Sequence, residues 1–171
     1  LDAWTVDNQL EANLNDGFMD HTVLVGVDYQ QRDNDVSWPS GAFPSLDAFD
    51  PEYGADPTAM YAPINERHEL EQTGVYLQDL IALDNWRFTL GGRYDWVDIE
   101  NTNLDSGDSS DLDETQFSGR AGLLYAFDNG VSPYASYSTA FTPTSFVDAS
   151  GDLLEPMEGE QVETGLKYQP L

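Results

Sequence analysis

Residues 86–100, WRFTLGGRYDWVDIE, separate by twos. Trp86, Phe88, Leu90, Tyr94 and Trp96 fall on one face of an extended chain; Arg87, Thr89, Arg93 and Asp95 fall on the other. Successive side chains of a strand point to opposite sides, so this period marks a strand with one apolar and one polar face. The same alternation recurs. Trp4, Val6, Leu10, Ala12 and Leu14 alternate with Thr5, Asp7, Gln9, Glu11 and Asn13. Val23, Val25, Val27 and Tyr29 alternate with Thr22, Gly26, Asp28, Gln30 and Arg32. Residues 69–83 read as a third strand whose faces are ambiguous around Gln78 and Asp79. In the fifth, Phe117, Ala121, Leu123, Tyr125 and Phe127 alternate with Gln116, Ser118 and Arg120. The sixth spans 131–141, with Ala135, Tyr137 and Phe141 on its apolar face. In the seventh, Val162, Leu166 and Tyr168 alternate with Gln161, Glu163 and Lys167. No segment sustains a helical period.

The connections are unequal. Asn15 to Gly17, Asp84-Asn85 and Asp128-Asn129-Gly130 have tight-turn chemistry. Between them come long links at 33–66, 101–115 and 142–159. Short and long connections alternate, so antiparallel strands would gather all short turns at one end and all long loops at the other. That is the layout of an outer-membrane β-barrel. Arg32, Arg87, Arg93, Arg120 and Lys167 all fall on polar faces, and a lipid-facing Arg or Lys costs roughly 2–4 kcal/mol at mid-bilayer. Trp86, Phe127 and Tyr168 lie near the short turns, and Tyr29, Trp96, Phe117 and Phe141 toward the long loops. Two aromatic girdles are expected from this. The polar face is therefore expected to look into a hydrated lumen and the tryptophan face into lipid.

Composition narrows the classes. The chain has 171 residues and a formal net charge of -26, from 32 acidic and six basic residues. Overall charge will not draw it to nucleic acid or to an anionic membrane surface. Cysteine is absent, which excludes disulfides and thiolate metal sites. No apolar run reaches the length of a transmembrane helix, about 18–20 residues. Leu1 already lies within strand-like sequence, without an initiator methionine or signal peptide, so the chain is expected to be a piece of a longer protein.

Several ordered motifs resemble one family. They are HTVLVGVDYQQRDND (21–35), QTGVYLQDLIALDNWRFTLGGRYDW (72–96), FDNGVSPYASYSTAF (127–141) and GEQVETGLKYQP (159–170). They are similar to TonB-dependent siderophore receptors, and within these to ferrichrome-type ferric hydroxamate receptors. The resemblance implies a plugged outer-membrane barrel of about 22 strands. Residues 1–171 would form a partial barrel domain of about seven strands, with the plug and the carboxy-terminal strands outside it. It also implies uptake of a ferric siderophore, energised by a TonB complex acting through the plug, in a bacterial outer membrane. The siderophore is cargo; no cofactor is implied. Two rivals are a small autonomous barrel with an adhesive or structural role and a soluble β-sheet binding module.

Candidate chemistry is sparse. No catalytic constellation, phosphate loop or metal-ligand spacing is present, and enzymatic activity is not expected. His21 and His68 read as structural. The acidic run 105–114, DSGDSSDLDE, reads as a solvated loop, with weak divalent binding as the alternative; it lacks EF-hand spacing. The link 33–66 is the best ligand candidate, because loops on a rigid scaffold often carry binding. It holds Trp38, Phe43, Phe49, Tyr53 and Tyr61. Of these Trp38, Phe43, Tyr53 and Tyr61 are the candidate ligand contacts, Trp38 and Tyr53 being those the resemblance suggests; packing of the loop is the alternative. Arg87, Arg93, Asp95, Arg120 and Lys167 are the expected lumen-facing polar residues, and the arginines have Asp28, Asp95 or plug carboxylates as possible partners.

Overall fold

The computed structural model describes residues 1–170 except 57, 145, 149 and 151, and only the backbone of 58 and 59. The excepted positions fall in the expected links 33–66 and 142–159. Seven strands form one sheet in sequence order: β1 (Asp2–Asn15), β2 (Asp20–Ala42), β3 (Thr58–Leu83), β4 (Trp86–Asn103), β5 (Ser109–Tyr125), β6 (Val131–Thr142) and β7 (Met157–Tyr168). Every neighbouring pair is antiparallel. Among the described residues no helix is long and apolar enough to cross a membrane.

The turns at one end are tight for local reasons. Asp16 accepts the backbone N–H groups of Phe18 and Met19 at 2.9 and 2.8 Å, closing the β1–β2 turn. These donors hold the Asp16 carboxyl below the usual carboxylate range. Asp84 takes φ +49° in the β3–β4 turn, a conformation that Asp tolerates better than most residues.

At the other end the sequence expectation needs correction. Most of 33–66 is strand: β2 runs to Ala42 and β3 begins at Thr58. Trp38 therefore lies in β2 and Tyr61 in β3. The link 101–115 shrinks to 104–108, and the acidic run expected as a loop supplies the start of β5. There Asn103 accepts from the N–H groups of Asp105 and Ser106, both at 3.0 Å. The reason is physical. Past the aromatic residues much of the strand surface is wet, so polar residues replace the alternation while the backbone ladder continues, although Val97 and Ile99 on the inner face of β4 stay buried.

Register fixes the faces. Arg93 stands opposite Tyr76 and Ser118, Asp95 opposite Gly74 and Gln116. These share the inner face with Asp28, Arg32, Arg87, Arg120 and Lys167. The outer face carries Leu10, Val25, Val27, Leu77, Leu90 and Tyr94, all exposed. Asp79 settles on the outer face, opposite Val23 and Leu90, and Gln78 on the inner. Arg67, which the pattern leaves unplaced, lies on the outer side beyond the aromatic residues, paired with Asp35 at 2.7 Å. That contact keeps the Asp35 carboxyl below its usual range.

Among the described residues only Val97 and Ile99 are buried hydrophobics. The accessible surface is 12190 Å², whereas a compact monomer of 19.0 kDa exposes about 8400 Å². A soluble sheet of this size would hide its apolar face; this one presents it.

Candidate functional site

The outer surface is an apolar band between two aromatic clusters. Near the tight turns, Trp86 meets Tyr125 at 4.7 Å between centroids, and Tyr125 meets Phe127 at 4.6 Å. Toward the other end, Tyr94 meets Trp96 at 4.9 Å and Trp4 meets Tyr29 at 5.1 Å. Trp96 lies ten residue steps beyond Trp86 in the sequence. At about 3.3 Å per residue and a tilt near 40°, that spans about 25 Å, the height of an outer-membrane barrel's apolar band.

Beyond Trp96 the same surface turns acidic. Asp33, Glu69, Glu71, Asp98, Glu100, Asp111 and Asp113 face outward there. Burial, and then the hydrogen bond to Asp113, push the Asp98 carboxyl above its usual range.

The inner face is polar and organised around Arg93. Its guanidinium bonds Asp95 (Nη2 to Oδ1, 2.6 Å; Nε to Oδ2, 2.8 Å) and Asp28 (Nη2 to Oδ1, 2.9 Å, with Nη1 on Oδ2). Gln72 donates to Asp95 at 2.8 Å. Asp95 is fully buried, so its charge requires these partners. Tyr76 donates to Asp7 at 2.8 Å. Nearer the tight turns, Arg87 donates to the Asp84 and Trp86 carbonyls. Tyr134 donates to Glu163 at 2.5 Å, and the Lys167 ammonium sits 5.1 Å from the Tyr134 ring centroid. Arg93, Arg120, Tyr76, Gln78 and Ser138 line a cavity of about 390 Å³ on this face. The contacts of Gln72, Tyr76 and Glu163 do not follow from alternation alone, because they depend on register.

The candidate ligand aromatics lie above the wall. Trp38, Phe43, Tyr53 and Tyr61 are 67%, 70%, 83% and 62% exposed. The β2–β3 ribbon carrying them rises past β4, whose last partner on β3 is Glu66. On the inner face Pro143, Thr144 and Phe146 close a cavity with Arg32, His68, Leu70 and Ile99.

A sheet with one membrane-facing apolar side, two aromatic rims and one hydrated side is the wall of a transmembrane β-barrel. Comparison with known proteins narrows this class. Residues 2–170 match the family model described as TonB dependent receptor-like, beta-barrel. The chain is 54% identical over 170 residues to a ferrioxamine B receptor of Salmonella typhimurium (strain LT2), covering 99% of this chain and 24% of that protein. It is 40% identical over 178 residues to the ferrichrome outer membrane transporter/phage receptor of Escherichia coli (strain K12), covering 99% and 24%. Among solved structures it resembles the siderophore receptor PiuA of Acinetobacter baumannii (TM-score 0.73, 22% identity, 99% and 29% covered). It also resembles the ferric-catecholate import receptor Fiu of Escherichia coli K12 (TM-score 0.77, 16% identity, 98% and 29% covered). The chain belongs to the TonB-dependent receptor β-barrel family, a family of outer-membrane receptors. It spans about a quarter of the length of the curated relatives it matches.

Proposed function

We propose that this chain is part of the barrel wall of an outer-membrane receptor that imports a ferric hydroxamate siderophore. The remaining strands and an internal plug belong to the same longer protein, and a TonB complex supplies the energy through that plug. The carrying observation is 54% identity, along nearly the whole chain, with a ferrioxamine B receptor. The likeness to a catecholate receptor is at 16% identity and speaks for fold alone.

The surface chemistry supports the hydroxamate reading. A neutral ferric hydroxamate offers a compact, weakly charged shell, which aromatic side chains cover at low entropic cost. An anionic ferric catecholate would meet the repulsion of a chain at net charge -26. Trp38, Phe43, Tyr53 and Tyr61 are the proposed contacts, on or beside the projecting ribbon. The wall's part is to bind and to allow gated passage, without covalent chemistry.

Titration of the purified intact receptor by tryptophan quenching tests this. The neutral hydroxamate complex should bind in preference to an anionic catecholate complex. Trp38→Ala and Tyr53→Ala should each weaken binding by about 1–2 kcal/mol. Tight catecholate binding would overturn the substrate class. Unchanged affinity in both variants would overturn the site.

A further inference from the structure

The projecting ribbon has little of its own to hold it still. The β3–β4 ladder ends at the pair Glu66 and Asn103. Above it, among the described residues, β3 pairs only with β2, and the register shifts on both sides of Ser40. A two-stranded ribbon by itself is marginally stable in water. Trp38 and Tyr61 nevertheless stand on it, opposite Ile64 and Ser40. For these aromatics to meet a cargo at a fixed place, the ribbon must be held from its base.

A tie is present there. The Asn65 side-chain amide donates from Nδ2 to Asp105 Oδ1 at 2.7 Å, and the Leu104 N–H donates to the Asn65 carbonyl at 2.8 Å. Leu104 and Asp105 belong to the β4–β5 turn, which is stiff for local reasons. Asn103 Oδ1 holds two of its N–H groups, and Gly107, at φ +79°, donates to the Asn103 carbonyl at 2.8 Å. Asn65 stands opposite Ser37, the neighbour of Trp38 along β2. By alternation Asn65 lies on the outer side of the ribbon and Trp38 on the lumen side. A tie on the one side opposes displacement of the aromatic on the other. The Leu104 bond is main chain and survives any side-chain change; the bond from Asn65 to Asp105 does not.

We infer that Asn65 and Asp105 are positioning residues for cargo binding. The β4–β5 turn is a buttress that orders the ribbon, so that Trp38 and Tyr61 meet the ferric complex already in place. This role rests on the proposed hydroxamate contacts of the ribbon. Ordering in advance spares the conformational entropy that a loose ribbon would lose on binding. It also gives Asp105, the first residue of the acidic run 105–114, a task other than solvation.

The intact receptor, titrated with a neutral ferric hydroxamate, tests this. Asp105→Ala removes the acceptor and should weaken binding about three- to ten-fold, the range of one net hydrogen bond. Amide-hydrogen exchange at Ser37, Trp38 and Ile64 should quicken in the same variant. Asp105→Asn keeps an acceptor oxygen and should restore both readings. Asn65→Ala should repeat the losses of Asp105→Ala, and it serves in its place if that variant does not fold. In a receptor already carrying Trp38→Ala, the further loss from Asp105→Ala should shrink, because part of what the tie positions is gone. Unchanged affinity in both alanine variants would overturn the role. So would a loss in Asp105→Asn equal to that in Asp105→Ala, or an undiminished loss without Trp38. A wild-type receptor that binds no ferric hydroxamate would overturn the functional reading, and the positioning role with it.

Discussion

Arg93 is the residue on which the inner wall is organised. It ties β2 to β4 through Asp28 and holds the buried Asp95 on its own strand. Gly74 makes room for it: a Cβ at that position would lie 2.0 Å from Arg93 Nη2. Removing the guanidinium leaves Asp95 buried without its cation, while Gln72 alone cannot neutralise it. Arg93→Ala should therefore cost about 3 kcal/mol, the lower end for breaking a buried pair, because the inner face is hydrated. Urea titration of the folded band on unheated gels would measure it, and Arg93→Lys should recover only part, lacking the fork that spans two carboxylates. Alternation alone puts Arg93, Asp28 and Asp95 on one face of the sheet. The contribution of Gln72 is not readable that way, because it depends on which residue stands across the ladder. Asp79 shows the same limit from the other side. It is a polar residue on the apolar face, next to a polar residue on the polar face, so the pattern around it has no phase.

At the scale of the strand, the two faces of β4 make opposite demands. Leu90 looks outward within the band and Thr89 inward, opposite Leu80 and Gly122. Leu90→Arg should reduce the yield of folded, heat-modifiable barrel, since a midplane arginine costs roughly 2–4 kcal/mol. Thr89→Arg should leave that yield near wild type; equal losses would reverse the assignment of faces. Above the band β4 and β5 bring Asp98 opposite Asp113. The Asp98 pKa is raised in the folded state, so its contribution to stability is greatest when the group is protonated and is lost as pH rises through the raised value. Asp98→Asn should thus stabilise the hairpin at pH 7, by about 0.5 kcal/mol for relief of a like-charged cross-strand pair. The gain should vanish on acidification below the ordinary carboxylate pKa, and thermal melts across that window would show it. Both the strand cores and the tight turns were legible from residue order, because lipid and lumen impose the period. The upper reaches of β2, β3 and β5 were not. Asp33, Asn34 and Asp35 read as loop by composition, yet each keeps its ladder partner on β3.

The whole molecule is a wall without its ends. Among the described residues no strand pairs with the outer edge of β1 or of β7, and both strands are exposed along nearly their whole length. Unpaired edges template association in water and cost several kcal/mol per unsatisfied group in lipid. The isolated chain should therefore not give a monodisperse, cooperatively unfolding monomer in buffer. Sharp, dispersed amide resonances from a detergent-free sample would contradict this and favour a soluble module. The seams inside the wall are also unequal. β2 and β3 stay paired from Asp20 to Ala42, whereas β5 and β6 share only the stretch from Arg120 to Leu124. Beyond it, Thr139 Oγ1 on β6 accepts from the Gly119 N–H, and Gln116 reaches past β6 to donate to Glu158 on β7. Such a wall has a grain, like timber. Load drawn along the barrel axis would be carried evenly through the broad β2–β4 panel and would concentrate at the short β5–β6 joint, where the fewest backbone bonds share it. That joint is the line along which the wall would tear first.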